Sequence, residues 1–390
     1  MDESPASSPS LLRRITWVVG VALVAAVVVF GAAFIGDRRA GDGFDLVRWE
    51  RDTFAGKWLY LLGAPFRDDQ APDIAIKRYF EAAPESAARR ATESAVEAAL
   101  AGRIDAAART LGLRGALLLS GTVFPPVNVE LTEAPRVLVT SPRSTIRRTG
   151  TALLRPDLAT FEAEAIERRA ESEDSDRSTI VVPSGGVATY PAIVTNRGGY
   201  ADTVATAAHE WMHHYLSFYP LGLHYADSRD ATAINETVAD IVGDEITEHV
   251  LRRWGDPTVA PAAAASSPAA TPTSTPRDRT GVDINATLRD LRLEVDGMLA
   301  AGQVAEAEAR MEAVRQRLWD AGYRIRRINQ AYFAWYGTYT ARPDATDPLG
   351  AQLREVRARS GSLRSFIEVV RNVTSRAAVV ATLERMRAGG

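Results

Sequence analysis

The sequence predicts an α+β fold, mostly helical with a small mixed sheet and preceded by one transmembrane helix. Three observations carry that reading. Short apolar, β-branched runs cluster between residues 127 and 196, long helix-forming segments lie on both sides of them, and an uncharged apolar stretch stands near the start of the chain. Strands gathered in one region, with helices following, point to α+β organisation rather than to a parallel α/β sheet.

Residues 1–14 are a short tail. Ile15 to Ile35, "ITWVVGVALVAAVVVFGAAFI", carries no charge. As a helix it spans roughly 30 Å, the thickness of a bilayer's hydrocarbon core. Arg13 and Arg14 precede it, and "FIGDRRAGDG" offers no small-x-small cleavage pattern. An uncleaved single-pass membrane anchor is therefore expected, with residues 41–390 on the extracytoplasmic side.

Residues 44–66, apolar with several aromatics, read as a helix packing near the membrane. Residues 76–113 are alanine-rich and read as a helical pair broken near Gly102. "VNVEL" and "RVLVTS" read as strands and residues 154–173 as a helix. "RSTIVVPS" and "ATYPAIVTN" are again strands, with Pro183 and Pro191 suggesting a sheet edge. A helix capped by Asp202 or Thr203 carries the histidine segment, and a second follows over residues 231–254. Residues 256–281 are rich in proline, alanine, serine and threonine without an aromatic, so they cannot bury enough surface to order themselves; a disordered insertion is expected. Residues 288–322 read as a helical hairpin turning at Ala301-Gly302.

Composition narrows the function. With 46 Lys plus Arg against 49 Asp plus Glu, the chain has no large basic field to attract nucleic acid, and no nucleic-acid partner is expected. Cysteine is absent, which removes disulfides, thiolate metal sites and cysteine nucleophiles together.

The chemistry gathers in "TAAHEWMHHYL", residues 206–216. The chain has 5 histidines, His209, His213, His214, His224 and His249, all in one short region. On a helix, His209 and His213 lie one turn apart on one face and can aim at one ion, while Glu210 projects about 100° round the helix, beside the ion without ligating it. There it can take a proton from a water activated by Zn²⁺. The metzincin pattern fails, because Leu216 and Tyr219 stand where it requires glycine and histidine. Downstream, "INETVAD" places Glu236 and Asp240 four apart on the next helix. Glu236 can complete a His₂Glu site with an open fourth position, and Asp240 can accept the free ring N–H of a ligand histidine. Gly243 would let the two helices approach closely. Asp227 and Asp230 are alternative third ligands without the helical spacing. His214 points away from the pair, His224 reads as a loop surface residue, and His249 sits late on its helix.

"HEWMHH" followed by "NETVAD" resembles the gluzincin superfamily of zinc peptidases. "DATAINETVADIVGDE" is similar, more narrowly, to the bacterial predicted aminopeptidase family, and "INQAYFAWYGTY" (residues 328–339) to a later segment of that family. The likeness covers residues 200–340. It implies a zincin-like catalytic domain over residues 41–390, with His209, His213 and Glu236 on Zn²⁺, Glu210 as base, and a peptide or protein substrate. Asn329, Tyr332, Tyr336 and Tyr339 are the hydrogen-bond donors of that segment. Tyr336 or Tyr339, flanking Gly337, is the expected oxyanion donor. Two rival classes are a zinc hydrolase of a non-peptide amide or ester, and a non-catalytic module with a structural zinc closed by a fourth protein ligand.

Overall fold

The structure, a computed structural model, describes residues 42–46, 48, 49, 53, 72–84, 86–113, 123–259, 282–337 and 345–389. The expected anchor at 15–35, most of the helix expected at 44–66 and most of the insertion at 256–281 lie outside them. Among the described residues no helix is long and apolar enough to cross a membrane. The described chain is mostly helical with short strands, as an α+β fold requires.

Helices α1 (Asp73–Glu81) and α2 (Ala87–Thr110) form a pair, but they part at residues 82–86 and not at Gly102. Pro84 cannot donate to a continuing helix, and Ser86 caps the new one by accepting from the Arg89 N–H. A glycine inside a helix costs only about 1 kcal/mol. Ala101, Arg103 and Ile104 around Gly102 are buried, and that packing outweighs the cost.

Strands β1 (Val129–Thr132), β2 (Arg136–Pro142) and β3 (Gly150–Leu154) precede helix α3 (Thr160–Ser172); strands β4 (Arg177–Pro183), β5 (Gly186–Val187) and β6 (Ala192–Thr195) follow it. They make two three-stranded sheets. One is antiparallel, in the order β3-β2-β4; the other is mixed, in the order β1-β6-β5. Pro183 ends an edge strand, as expected. Pro191 does not mark an edge: it stands just before the central strand β6, where its missing N–H precedes the first paired residue, Ala192.

The register of β2 on β4 sorts side chains to two faces. Val137 opposes Val182 and Val139 opposes Ile180, and all four enter a core with the hairpin α7 (Ile284–Ala300) and α8 (Val304–Asp320) and with α9 (Gln330–Tyr336). Leu138 opposes Val181 on the other face, against Ile166 of α3. The larger core joins α2 and the mixed sheet to α4 (Tyr200–Leu216), α5 (Pro220–Leu223) and α6 (Arg229–Trp254), and to α10 (Leu349–Arg359), α11 (Leu363–Val370) and α12 (Arg376–Ala388). Helix α4 starts earlier than expected, with Gly199 at its N-cap, and the Thr203 hydroxyl donates to the Gly199 carbonyl at 2.8 Å. The hairpin turns where expected, with Gly302 at φ 76°.

Glu97 ties α2 to the mixed sheet by accepting the Leu131 N–H at 2.7 Å. Burial pushes its carboxyl up to about 7; the Leu131 bond works against that rise, and Glu130 and Glu93 add to it. A folded pKa above the ordinary 4.5 means that stability declines as pH rises from about 4.5 to about 7. Glu97→Gln keeps an acceptor for Leu131 and removes the titration. The variant is expected to gain on the order of 1–3 kcal/mol over wild type at pH 8 and little at pH 5 in urea unfolding. An equal difference at both pH values would rule out charge burial as the cause.

Candidate metal centre

Helices α4 and α6 pack closely enough to place their polar residues on one point. A Cβ at Gly243 would lie 3.3 Å from the Ala205 carbonyl oxygen and 3.3 Å from the His209 nitrogen, so the glycine permits the approach that the sequence suggested. His209 and His213 on α4 and Glu236 on α6 then bring one ligand atom each within 4.8 Å of one another. The two Nε2 atoms are 3.0 Å apart, and Glu236 Oε2 lies 3.4 Å from that of His209 and 3.7 Å from that of His213. Tetrahedral ligands at Zn–N and Zn–O lengths are separated by about 3.3 Å, so the triangle has the size of a metal site. Those three residues could hold a metal ion.

The neighbours of the histidines orient them for it. Asp240 Oδ1 stands 2.9 Å from His209 Nδ1, the role expected for it. Asn235 Oδ1 stands 2.7 Å from His213 Nδ1, while its own amide N–H donates to the Leu221 carbonyl at 3.2 Å. That second bond fixes which way the Asn235 amide points, so its oxygen faces the ring. Both imidazoles therefore carry a proton on Nδ1 and turn Nε2 to the common point, where a bound ion would take the place of the second His209 proton. Burial works against a charged His209, yet the Asp240 and Glu236 bonds raise its pKa well above 6.5; burial lowers that of His213. Burial would raise Glu236, but the His213 charge and the bonds from His209 and Tyr225 hold it down at about 2, ionised as a ligand must be.

Glu210 is buried beside this group. Burial pushes its carboxyl up; His209 opposes the rise and the Glu236 and Asp240 charges add to it, bringing it to about 7. Its place is set by Gly186 on β5: a Cβ there would stand 2.7 Å from Glu210 Oε1 and 2.7 Å from the Ile193 carbonyl. The edge strand thus rests directly on the carboxylate.

Tyr225, in the loop between α5 and α6, donates from its hydroxyl to Glu236 Oε1 at 2.5 Å, with its backbone carbonyl held by the Thr232 hydroxyl at 2.7 Å. Burial and then the Glu236 charge push its pKa well up, and Arg148 only partly offsets them, so the phenol stays protonated. Sequence reasoning missed both Tyr225 and Asn235. The signal for Asn235 was a polar residue beside Glu236 inside an otherwise buried turn of helix. Tyr225 gave none beyond a hydroxyl-bearing ring in a loop.

Other expected residues lie elsewhere. Tyr336 packs on Tyr332, with ring centroids 4.7 Å apart, against the second core, and does not line the metal cleft. Tyr339 falls outside the described residues. Asn329 caps α9 and donates to the Thr179 carbonyl at 2.8 Å. Asp227 pairs with exposed His224 at 2.6 Å and Asp230 with Arg376 at 2.9 Å, so neither reaches the ligand group. His214 is buried against Tyr190, and His249 is half-buried late on α6. The three residues open onto a cleft of about 1530 Å³ between the two cores. No protein-family model, no curated protein and no solved structure matches this chain.

Proposed function

We propose that the protein is a zinc-dependent peptidase of gluzincin type, anchored to a membrane through residues 15–35, that hydrolyses peptide bonds with a metal-activated water. The observation that carries this reading is the open ligand set: among the described residues only His209, His213 and Glu236 form a metal-sized group, and a wide cleft stands over it with Glu210 alongside. A structural zinc is normally closed by four protein ligands, whereas a catalytic one keeps a position free.

When bound, the ion supplies Lewis-acid chemistry, lowering the pKa of a coordinated water to about 7 and polarising a carbonyl. The chain's own groups do the rest. Glu210 takes the proton of the attacking water and passes it to the leaving amine nitrogen; its burial, which favours the protonated carboxyl, suits it to hold the proton between the two steps. Tyr225 holds its one hydroxyl proton on Glu236 and, by turning it away from there, can donate to the oxygen that gains charge, the role expected of Tyr336 or Tyr339. Strand β5 pairs only with β6 among the described strands, so its other edge is open to an extended peptide, which would lie over Glu210.

The test is metal analysis of the full chain with turnover of a mixed peptide library. One zinc per chain, loss of turnover on chelation and its return with zinc are expected. Turnover that survives complete chelation, or a protein that never takes up stoichiometric metal, would end this reading.

Gly186→Ala tests the seat of the base. Ile193 belongs to the sheet and cannot yield, so the added methyl must push Glu210 aside. Turnover should fall about 10- to 100-fold with zinc content unchanged, since a misplacement of about 1 Å is worth that much. Unaltered turnover would show that the carboxylate's position is not what matters.

A further inference from the structure

We infer that Arg148 recognises a carboxylate of the peptide substrate beside the scissile bond, so that the cleft prefers substrates ending in, or carrying, a free carboxyl there. The inference rests on the peptidase reading and names its substrate class.

Arg148 stands on the turn between β2 and β3, one wall of the metal cleft. Its guanidinium lines the same cleft as Tyr225, whose hydroxyl touches Glu236, acts on that phenol by lowering its pKa, and lies over the Trp335 ring at 5.8 Å. That places a planar cation one side chain away from the ligand triangle. Among the described residues no carboxylate pairs with it.

The charges lining the cleft balance in number, five arginines against five carboxylates, but they are not matched in pairs. Most of the cleft's acids already have partners: Asp227 has His224, Asp230 and Asp347 have Arg376, and Glu236 has the two histidines and Tyr225, while Glu210 is buried under Gly186. Arg147 and Arg229 line the same cleft and, like Arg148, meet no carboxylate among the described residues. Guanidinium groups that meet no carboxylate among the described residues offer an anion in the cleft a place to pair. A guanidinium fork fits a carboxylate with two parallel hydrogen bonds, and half-burial against Trp335 strengthens them. The Arg148 charge itself disfavours a substrate's terminal ammonium beside it, so the specificity points to the carboxyl side and away from aminopeptidase action.

The experiment measures calorimetric binding to the zinc-loaded full chain carrying Glu210→Gln, with and without Arg148→Gln or Arg148→Lys. The probes are tri-alanine as free acid, its C-terminal amide, and the amide with glutamate as its last residue. Binding of the free acid about 10- to 100-fold tighter than the amide is expected, the range of a charge-assisted pair. Arg148→Gln should erase that ratio by weakening the acid alone, and Arg148→Lys should keep part of it. Preference for the glutamyl amide over the acid would identify a side-chain carboxylate as the source. If Arg148→Gln weakens acid and amide equally, Arg148 merely braces Tyr225 and the inference falls. It falls too if wild-type Arg148 binds acid and amide alike, or binds neither. Turnover by the protein with Glu210 intact separates the two readings: acid-selective binding without any hydrolysis sinks the peptidase and keeps the carboxylate site, and hydrolysis without selectivity does the reverse.

Discussion

Glu210→Gln is expected to bind one zinc per chain with wild-type affinity and to hydrolyse peptides about 10²- to 10⁴-fold more slowly, the usual contribution of a positioned general base. The separation follows from geometry. Glu210 is not among the three side chains that could hold the metal, and its neighbour in space is the glycine of β5, so an isosteric amide disturbs neither the triangle nor the strand. Glutamine cannot accept a proton from water at neutral pH. Metal content and turnover measured on one preparation decide the matter. Loss of zinc in this variant would make Glu210 a ligand, and undiminished turnover would assign the proton transfer elsewhere.

Much of this centre was legible in the sequence because it is written in helical spacing. Four-residue intervals fix His209 with His213 and Glu236 with Asp240 on their faces whatever the tertiary fold, and Gly243 marks where the helices meet. Residues that depend on chain reversal were not legible. Tyr225 reaches Glu236 only because the short helix α5 turns the loop back, and Arg148 reaches Tyr225 only through the β2–β3 turn, both long-range placements with no local periodicity. The aromatic run at residues 328–339 misled for a physical reason. Aromatics at helical spacing more often fill a core than serve a site, and Tyr332 and Phe333 do fill one, taking Tyr336 with them. The division of strands into two sheets escaped as well, since pairing partners are not encoded in single-strand patterns; β1 waits for β6 across more than fifty residues.

The third ligand supplies the other large effect. Glu236→Ala is expected to abolish stoichiometric zinc binding, because it leaves two imidazoles in a mostly buried pocket and removes the only carboxylate in the ligand triangle. Asp240→Ala and Asn235→Ala each free one Nδ1, so the ring can turn or change tautomer while all three ligand atoms remain; about 10- to 100-fold weaker metal binding is expected of each. Asn235→Asp should be milder than Asn235→Ala, since it keeps an acceptor for His213 and loses only the bond to Leu221. Glu248→Ala, exposed on the same helix and paired with Arg252, should leave zinc binding as it is. Competition with a chromogenic chelator ranks the five variants directly. The order carries more than the sizes, because only ligation by Glu236 with orientation by its neighbours produces it. Should Asp227→Ala or Asp230→Ala release the metal while Glu236→Ala retains it, the ligand set would lie in the loop, and the two-helix centre would have to be given up.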